Sequence, residues 1–132
     1  MMKVLASIIG ILIPSVGVSC IADPSSRIAM NPEKYLEQYE VVFFGVITSN
    51  ENVSNDHQIV TFDVEKMFKG ESNDYYIVDN KLSGTCSGYF DNAGTKYYVF
   101  ANKTEIPNQV RLSHFSSFVS ESMAEEFRMV LE

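Results

Sequence analysis

The longest regular alternation of apolar and polar positions runs over 57–68. There Ile59, Thr61, Asp63 and Glu65 interleave with Val60, Phe62, Val64 and Lys66. A period of two predicts a long strand with one buried face. Ahead of it, 41–48 (Val-Val-Phe-Phe-Gly-Val-Ile-Thr) is dense in β-branched and aromatic residues and predicts another strand. Gly45 inside that run suggests a bulge or sharp bend, as a tightly coiled barrel requires. Shorter apolar runs at 75–78, 96–101 and 109–112 complete a set of five strands. The polar stretches 49–56, 79–88 and 102–108 read as loops, and 69–72 and 91–94 as turns.

Helical signals lie on either side of the strands. Asn31 can cap, Pro32 suits the first helical position and Glu33 complements the dipole, with Tyr35, Leu36 and Tyr39 forming one apolar face. A closing helix is expected from about Ser122, where Ser122 and Glu125 form a capping box and Met123, Phe127, Val130 and Leu131 a buried stripe. The piece from Cys20 through Pro24 to residue 30 reads as extended and irregular. Five short strands, a bent first strand and a closing helix suit an all-β fold with helices, a five-stranded Greek-key barrel of the OB type. An open sandwich is the alternative from pattern alone. There is no internal repeat or low-complexity segment.

The first 19 residues have a different character. Met1-Met2-Lys3 makes a short positive start, 4–13 is uninterrupted and non-polar, and Pro14 breaks the run ahead of small residues. This is the layout of a secretory signal, predicting a mature domain over 20–132 that is secreted, or periplasmic in a bacterium. Gly17 and Ser19 suit a signal-peptidase cut before Cys20. Lipoprotein processing, with an acylated Cys20 on an envelope anchor, is an alternative, although Gly17 stands where that pathway favours a Leu-like residue. A cut elsewhere is the third possibility.

Charge narrows the partners. Of the 132 residues, ten are Lys or Arg and 17 Asp or Glu, and the leader holds one of the basic residues, Lys3. An acidic chain lacks the basic footprint of nucleic-acid binding and is not drawn to anionic membranes. No segment after residue 19 is long and apolar enough to span a bilayer. The chain is read as a monomer.

Catalytic constellations are sparse. His57, at a polar strand entry, reads as solvated. His114 sits among Ser113, Ser116 and Ser117, but sequence neighbours rarely form a triad, and no nucleophile elbow surrounds them. With no phosphate loop, dinucleotide fingerprint or zinc-ligand cluster, the expectation is a protein that is not an enzyme, with no cofactor and no metal of its own. Nine Phe and seven Tyr fall mostly at positions a barrel core needs. Asn52-Val53-Ser54 and Asn102-Lys103-Thr104 are glycosylation sequons, meaningful only in a eukaryotic host.

Two cysteines remain, Cys20 and Cys86. Export implies an oxidising compartment, so a bridge between them is expected. Closing a loop of that length contributes roughly 4 kcal/mol on the chain-entropy model, enough to matter for a small domain. A structural staple does not explain why one end falls where the signal cut is expected.

The run Val60-Thr61-Phe62-Asp63-Val64-Glu65-Lys66-Met67-Phe68-Lys69-Gly70 resembles the second strand and following turn of the tissue inhibitors of metalloproteinases and related netrin-like domains. Cys86 with Phe90, Gly94 and Tyr97-Tyr98-Val99-Phe100-Ala101 resembles that family's cysteine, glycine turn and fourth strand. Val42-Phe43-Phe44-Gly45-Val46 is similar to its first strand, and Val110-Arg111-Leu112-Ser113-His114-Phe115 to the strand leading into its closing helix. No single motif is specific; the ordered set carries the resemblance.

The resemblance implies a function. In that family the mature chain begins with a bridged cysteine whose amine and carbonyl chelate the zinc of a metalloproteinase. Cys20 matches the chelating residue, Cys86 its disulfide partner and Ile21 the side chain that enters the specificity pocket. Thr85 and Ser87 match neighbouring loop contacts. The partner implied is a zinc metalloproteinase. Ala22 and Ser113 stand where the family has a second bridge, and a third bridge is absent. A non-inhibitory netrin-like binding module is the alternative function.

Overall fold

The computed structural model describes residues 24–82, 88–112 and 117–131. Strands β1 (Val41–Ser54), β2 (His57–Lys69), β3 (Tyr75–Lys81), β4 (Lys96–Lys103) and β5 (Gln109–Arg111) form a closed barrel. A short β6 (Phe118–Ser120) extends the sheet alongside β4. Helices α1 (Pro24–Met30), α2 (Pro32–Gln38) and α3 (Glu121–Glu126) complete the described fold.

Around the barrel the order is β1-β2-β3-β5-β4, and β1 closes on β4 from Val41↔Ala101 to Val46↔Lys96. Every pairing is antiparallel except β3 with β5. This is the OB arrangement expected from the strand pattern. To serve both neighbours, β1 must coil strongly, and its register with β2 slips between Phe44 and Gly45. A Cβ on Gly45 would come 2.5 Å from the Asp63 carbonyl oxygen, so the crossing admits only glycine. Gly70, after β2, has a φ of +100°, in the region that other residues avoid.

The barrel interior is an aromatic stack. Phe43 lies edge-on to Phe62 and stacked on Tyr76, while Phe90 is edge-on to Phe62 and Tyr97 and stacked on Phe118. Val60, Val78, Val99 and Val110 fill the spaces between the rings. A second apolar cluster lies under the helices, where Ile28 and Ala29 of α1 and Ala124 of α3 meet Val42, Phe100 and Val119. Tyr35, Leu36 and Tyr39 pack against this cluster, the face expected of α2. Lys69 then ties barrel to helix, its ammonium donating to the carbonyls of Leu36 (2.9 Å) and Glu37 (3.3 Å) at the end of α2.

Five local expectations are corrected, the last in part. Residues 24–30 are helical, not irregular: Pro24 stands at the first position, and burial of Ile28 and Ala29 rewards the helix. Asn31 makes no side-chain cap; its backbone N–H instead bonds the Arg27 and Ile28 carbonyls that end α1. The stretch 49–54 is not loop, because β1 continues to Ser54 and joins β2 through Asn55 and Asp56 alone. A ribbon exposed on both faces has no alternation to betray it. The N-cap of α3 is Ser120, accepting from Met123 N at 3.1 Å, and not Ser122. That helix ends at Glu126, so of the expected stripe Met123 and Leu131 pack against the second cluster while Phe127 (37%) and Val130 (64%) are exposed.

Candidate functional site

Cys20, Ile21, Thr85, Cys86 and Ser87 lie outside the described residues, as do His114 and the Ala22 and Ser113 positions. What the structure does describe is the frame on either side of them. On one side stands the start of α1; on the other, the segment 88–91 that follows the Cys86 loop.

Residues 88–91 belong to no strand, yet side chains hold their backbone as a strand neighbour would. Gln58, on β2, donates from Nε2 to the Phe90 carbonyl (3.2 Å) and accepts the Phe90 N–H on Oε1 (2.9 Å). Asn80, on β3, donates to the same Gln58 oxygen (3.0 Å) and to the Gly88 carbonyl (3.1 Å). Asn50, on β1, adds bonds to the carbonyls of Phe90 (3.1 Å) and Asp91 (2.7 Å). Gln58 and Asn80 are each 2% exposed. A polar group that deep is costly unless paired, and the donors and acceptors of this cluster answer one another. Asn50 Oδ1 is the exception, a buried oxygen without a partner among the described residues.

Tyr97 completes the far end, its hydroxyl accepting the Asp91 N–H at 3.2 Å. Burial, helped by the nearby Asp91 charge, pushes the Tyr97 phenol above the usual range against the opposing pull of that hydrogen bond. Between the clamped residues 88 and 90, Tyr89 points outward at 58% exposure, with its hydroxyl donating to the Asn55 carbonyl at 2.7 Å. The preceding flank is anchored as well, since Leu82 N donates to the Asp56 carbonyl at 2.8 Å.

The two flanks meet through one residue. Ser25, second in α1, donates its hydroxyl to the Phe118 carbonyl at 2.6 Å. The Phe118 ring stacks on Phe90 with centroids 4.0 Å apart. The start of the described chain and the segment after the Cys86 loop therefore share a support.

His57 is not simply solvated. Its Nε2 lies 2.5 Å from Oδ1 of the buried Asp79, which also faces the Arg111 guanidinium at 3.4 Å. Asp79 thus has two partners that β2 and β5 deliver from opposite sides. Of the two sequons, Asn52 is on the exposed β1–β2 ribbon, whereas the Asn102 side chain accepts the Glu40 N–H at 3.1 Å. Among the described residues no group of three or more His, Cys, Asp or Glu could hold a metal, and no helix is long and apolar enough to cross a membrane.

Sequence reasoning missed Gln58 and Asn80. The signal was parity: Gln58 is in step with Val60 and Phe62 on the strand whose alternation is plain in the sequence, and Asn80 is in step with Tyr76 and Val78 in a stretch that read as loop because β3 extends past its apolar run. No protein-family model matches the chain, and a search of curated proteins finds no match.

Proposed function

We propose that the chain is a secreted inhibitor of zinc metalloproteinases, of the kind the tissue inhibitors exemplify. Cys20, freed by signal cleavage and bridged to Cys86, offers its amine and carbonyl to the protease zinc, and Ile21 enters the specificity pocket. Thr85 and Ser87 make the flanking contacts. A catalytic zinc keeps one coordination position open for water, and a neutral amine with an adjacent carbonyl can take it. The bridge meets the ordering cost in advance.

One observation supports this most directly: the shared support at Phe118. Cys20 lies five residues before Ser25 and Cys86 two before Gly88, reaches of about 17 Å and 7 Å for extended chain. With Ser25 and Phe90 both resting on Phe118, a bridge between the cysteines asks nothing unusual of the backbone. The OB barrel and the ordered resemblance along β1, β2 and β4 support the same conclusion.

The test begins with mass spectrometry of the exported protein. A free N-terminal Cys20 in a disulfide is expected; a diacylglyceryl adduct or a different first residue would eliminate the mechanism. Against a panel of zinc metalloproteinases, the native terminus is expected to inhibit and a form with one Gly ahead of Cys20 to be inactive. Equal inhibition by both would refute chelation. Because the amine binds deprotonated and its reference pKa is about 7.7–8.0, inhibition is expected to weaken as pH falls below that range.

A further inference from the structure

We infer that Gln58 and Asn80 are positioning residues that hold residues 88–91 as a rigid shelf, and that Tyr89 on this shelf is a further contact residue for the protease. The inference rests on the inhibitory function and adds to it a site made wholly of described residues.

The shelf is unusual in how it is held. A strand neighbour would fix residues 88–91 through backbone pairing; here buried amides supply the bonds from inside the barrel. Gln58 takes both the N–H and the carbonyl of Phe90, and Asn80 takes the carbonyl of Gly88. The bonds are directional, so they fix the two residues on either side of Tyr89 in position as well as in depth. Apolar side chains of the same size would fill the space without specifying that position. The Phe90 ring, seated among Phe62, Tyr97 and Phe118, anchors the shelf from below.

Tyr89 is what the shelf presents. Its ring is 58% exposed while its hydroxyl is tethered to the Asn55 carbonyl across the β1–β2 turn. An aromatic ring held in place before binding loses little freedom on contact, and tyrosine is enriched among the residues that dominate protein interfaces. Its location is constrained by the chain itself. Tyr89 is three residues from Cys86, at most about 10 Å along the chain, and a disulfide would add about 6 Å to Cys20, so a partner whose zinc is held by the bridged Cys20 approaches the neighbourhood of Tyr89. The partner surface must be apolar enough there to receive the ring face, with room for the hydroxyl at its edge.

The experiment compares inhibition of one zinc metalloproteinase by the wild type with its native terminus and by Tyr89→Ala, Gln58→Leu and Val110→Ala. Tyr89→Ala and Gln58→Leu are expected to raise the inhibition constant tenfold or more. Val110→Ala, which trims the barrel core away from the shelf, is expected to lose stability while inhibiting like the wild type. Hydrogen exchange supplies a second readout: the Phe90 amide is expected to exchange faster in Gln58→Leu and at the wild-type rate in Tyr89→Ala. If Tyr89→Ala inhibits as well as the wild type while a Gly ahead of Cys20 abolishes inhibition, the inhibitory function stands and the shelf's role is overturned. If the wild type inhibits no zinc metalloproteinase, the function itself fails and the contact role fails with it. Should Gln58→Leu not fold, Tyr89→Ala still decides, because the ring is at the surface and its removal leaves the core whole.

Discussion

Phe62 and Gln58 lie four residues apart on the same inward face of β2, both out of contact with water, and they do opposite things. Phe62 belongs to the ring stack that makes the barrel stable. Gln58 belongs to an amide cluster that holds a segment no strand pairs with. Apolar contact is non-directional, so the ring stack sets how tightly the barrel closes without fixing any one backbone group. Hydrogen bonds are directional and modest in net energy, about 0.5–1.5 kcal/mol each, so the amide cluster contributes less stability and more position. The molecule thus has a stabilising end and a specifying end, and the function we propose draws on the second.

Substitutions should separate the two. Phe62→Ala is expected to cause the largest loss, about 3–5 kcal/mol by denaturant unfolding, because a buried ring leaves a cavity its neighbours cannot fill. Gly45→Ala should follow at roughly 1–3 kcal/mol, since the new Cβ meets the Asp63 carbonyl and β1 or β2 must give way. Gln58→Leu keeps the apolar volume and strands one group outright, the Phe90 N–H, so about 1–3 kcal/mol is expected. Its signature is local: faster exchange at Phe90 while the Val60 and Val78 amides keep their protection. If exchange quickens evenly through the barrel, the division between the two ends is false.

Two smaller effects sharpen the picture. Ser120→Ala should cost about 0.5–2 kcal/mol through loss of the α3 cap, and Ser122→Ala much less. Thermal melts of the pair decide which serine begins the helix. At alkaline pH, burial holds the phenols of Tyr76, Tyr97 and Tyr98 neutral beyond the ordinary tyrosine range. A folded-state pKa raised above the unfolded value of about 10 contributes stability that is complete below that pH and lost as pH rises through the folded value. Tyrosinate absorbance should therefore climb in two stages, the second coinciding with unfolding.

Parity was the most informative signal in the chain. It located β2 and, carried one step further, would have put Gln58 inside; Asn80 lay in 79–88, a stretch read as loop, although β3 runs on to Lys81. Gly45 announced the bend of β1 for a reason visible in its own chemistry, the absence of a side chain. Where the outcome depended on a distant partner, local signals failed. The polar residues 49–54 became strand because β2 pairs with them, residues 24–30 became helix because Val119 and Phe100 cover Ile28 and Ala29, and Phe127 stayed exposed because the helix stops short of it.

The order of residues alone pointed to a small five-stranded barrel of the OB type, with an open sandwich as the alternative, because periodicity and glycine patterns are local properties; closure of β1 on β4 decided between them. Only the folded arrangement decided that His57 meets Asp79, that Ser25 and Phe90 share Phe118, and that two inward amides hold a shelf with Tyr89 on its surface. Those contacts join residues far apart in sequence, and what a polar side chain does in a core is settled by which backbone group arrives opposite it.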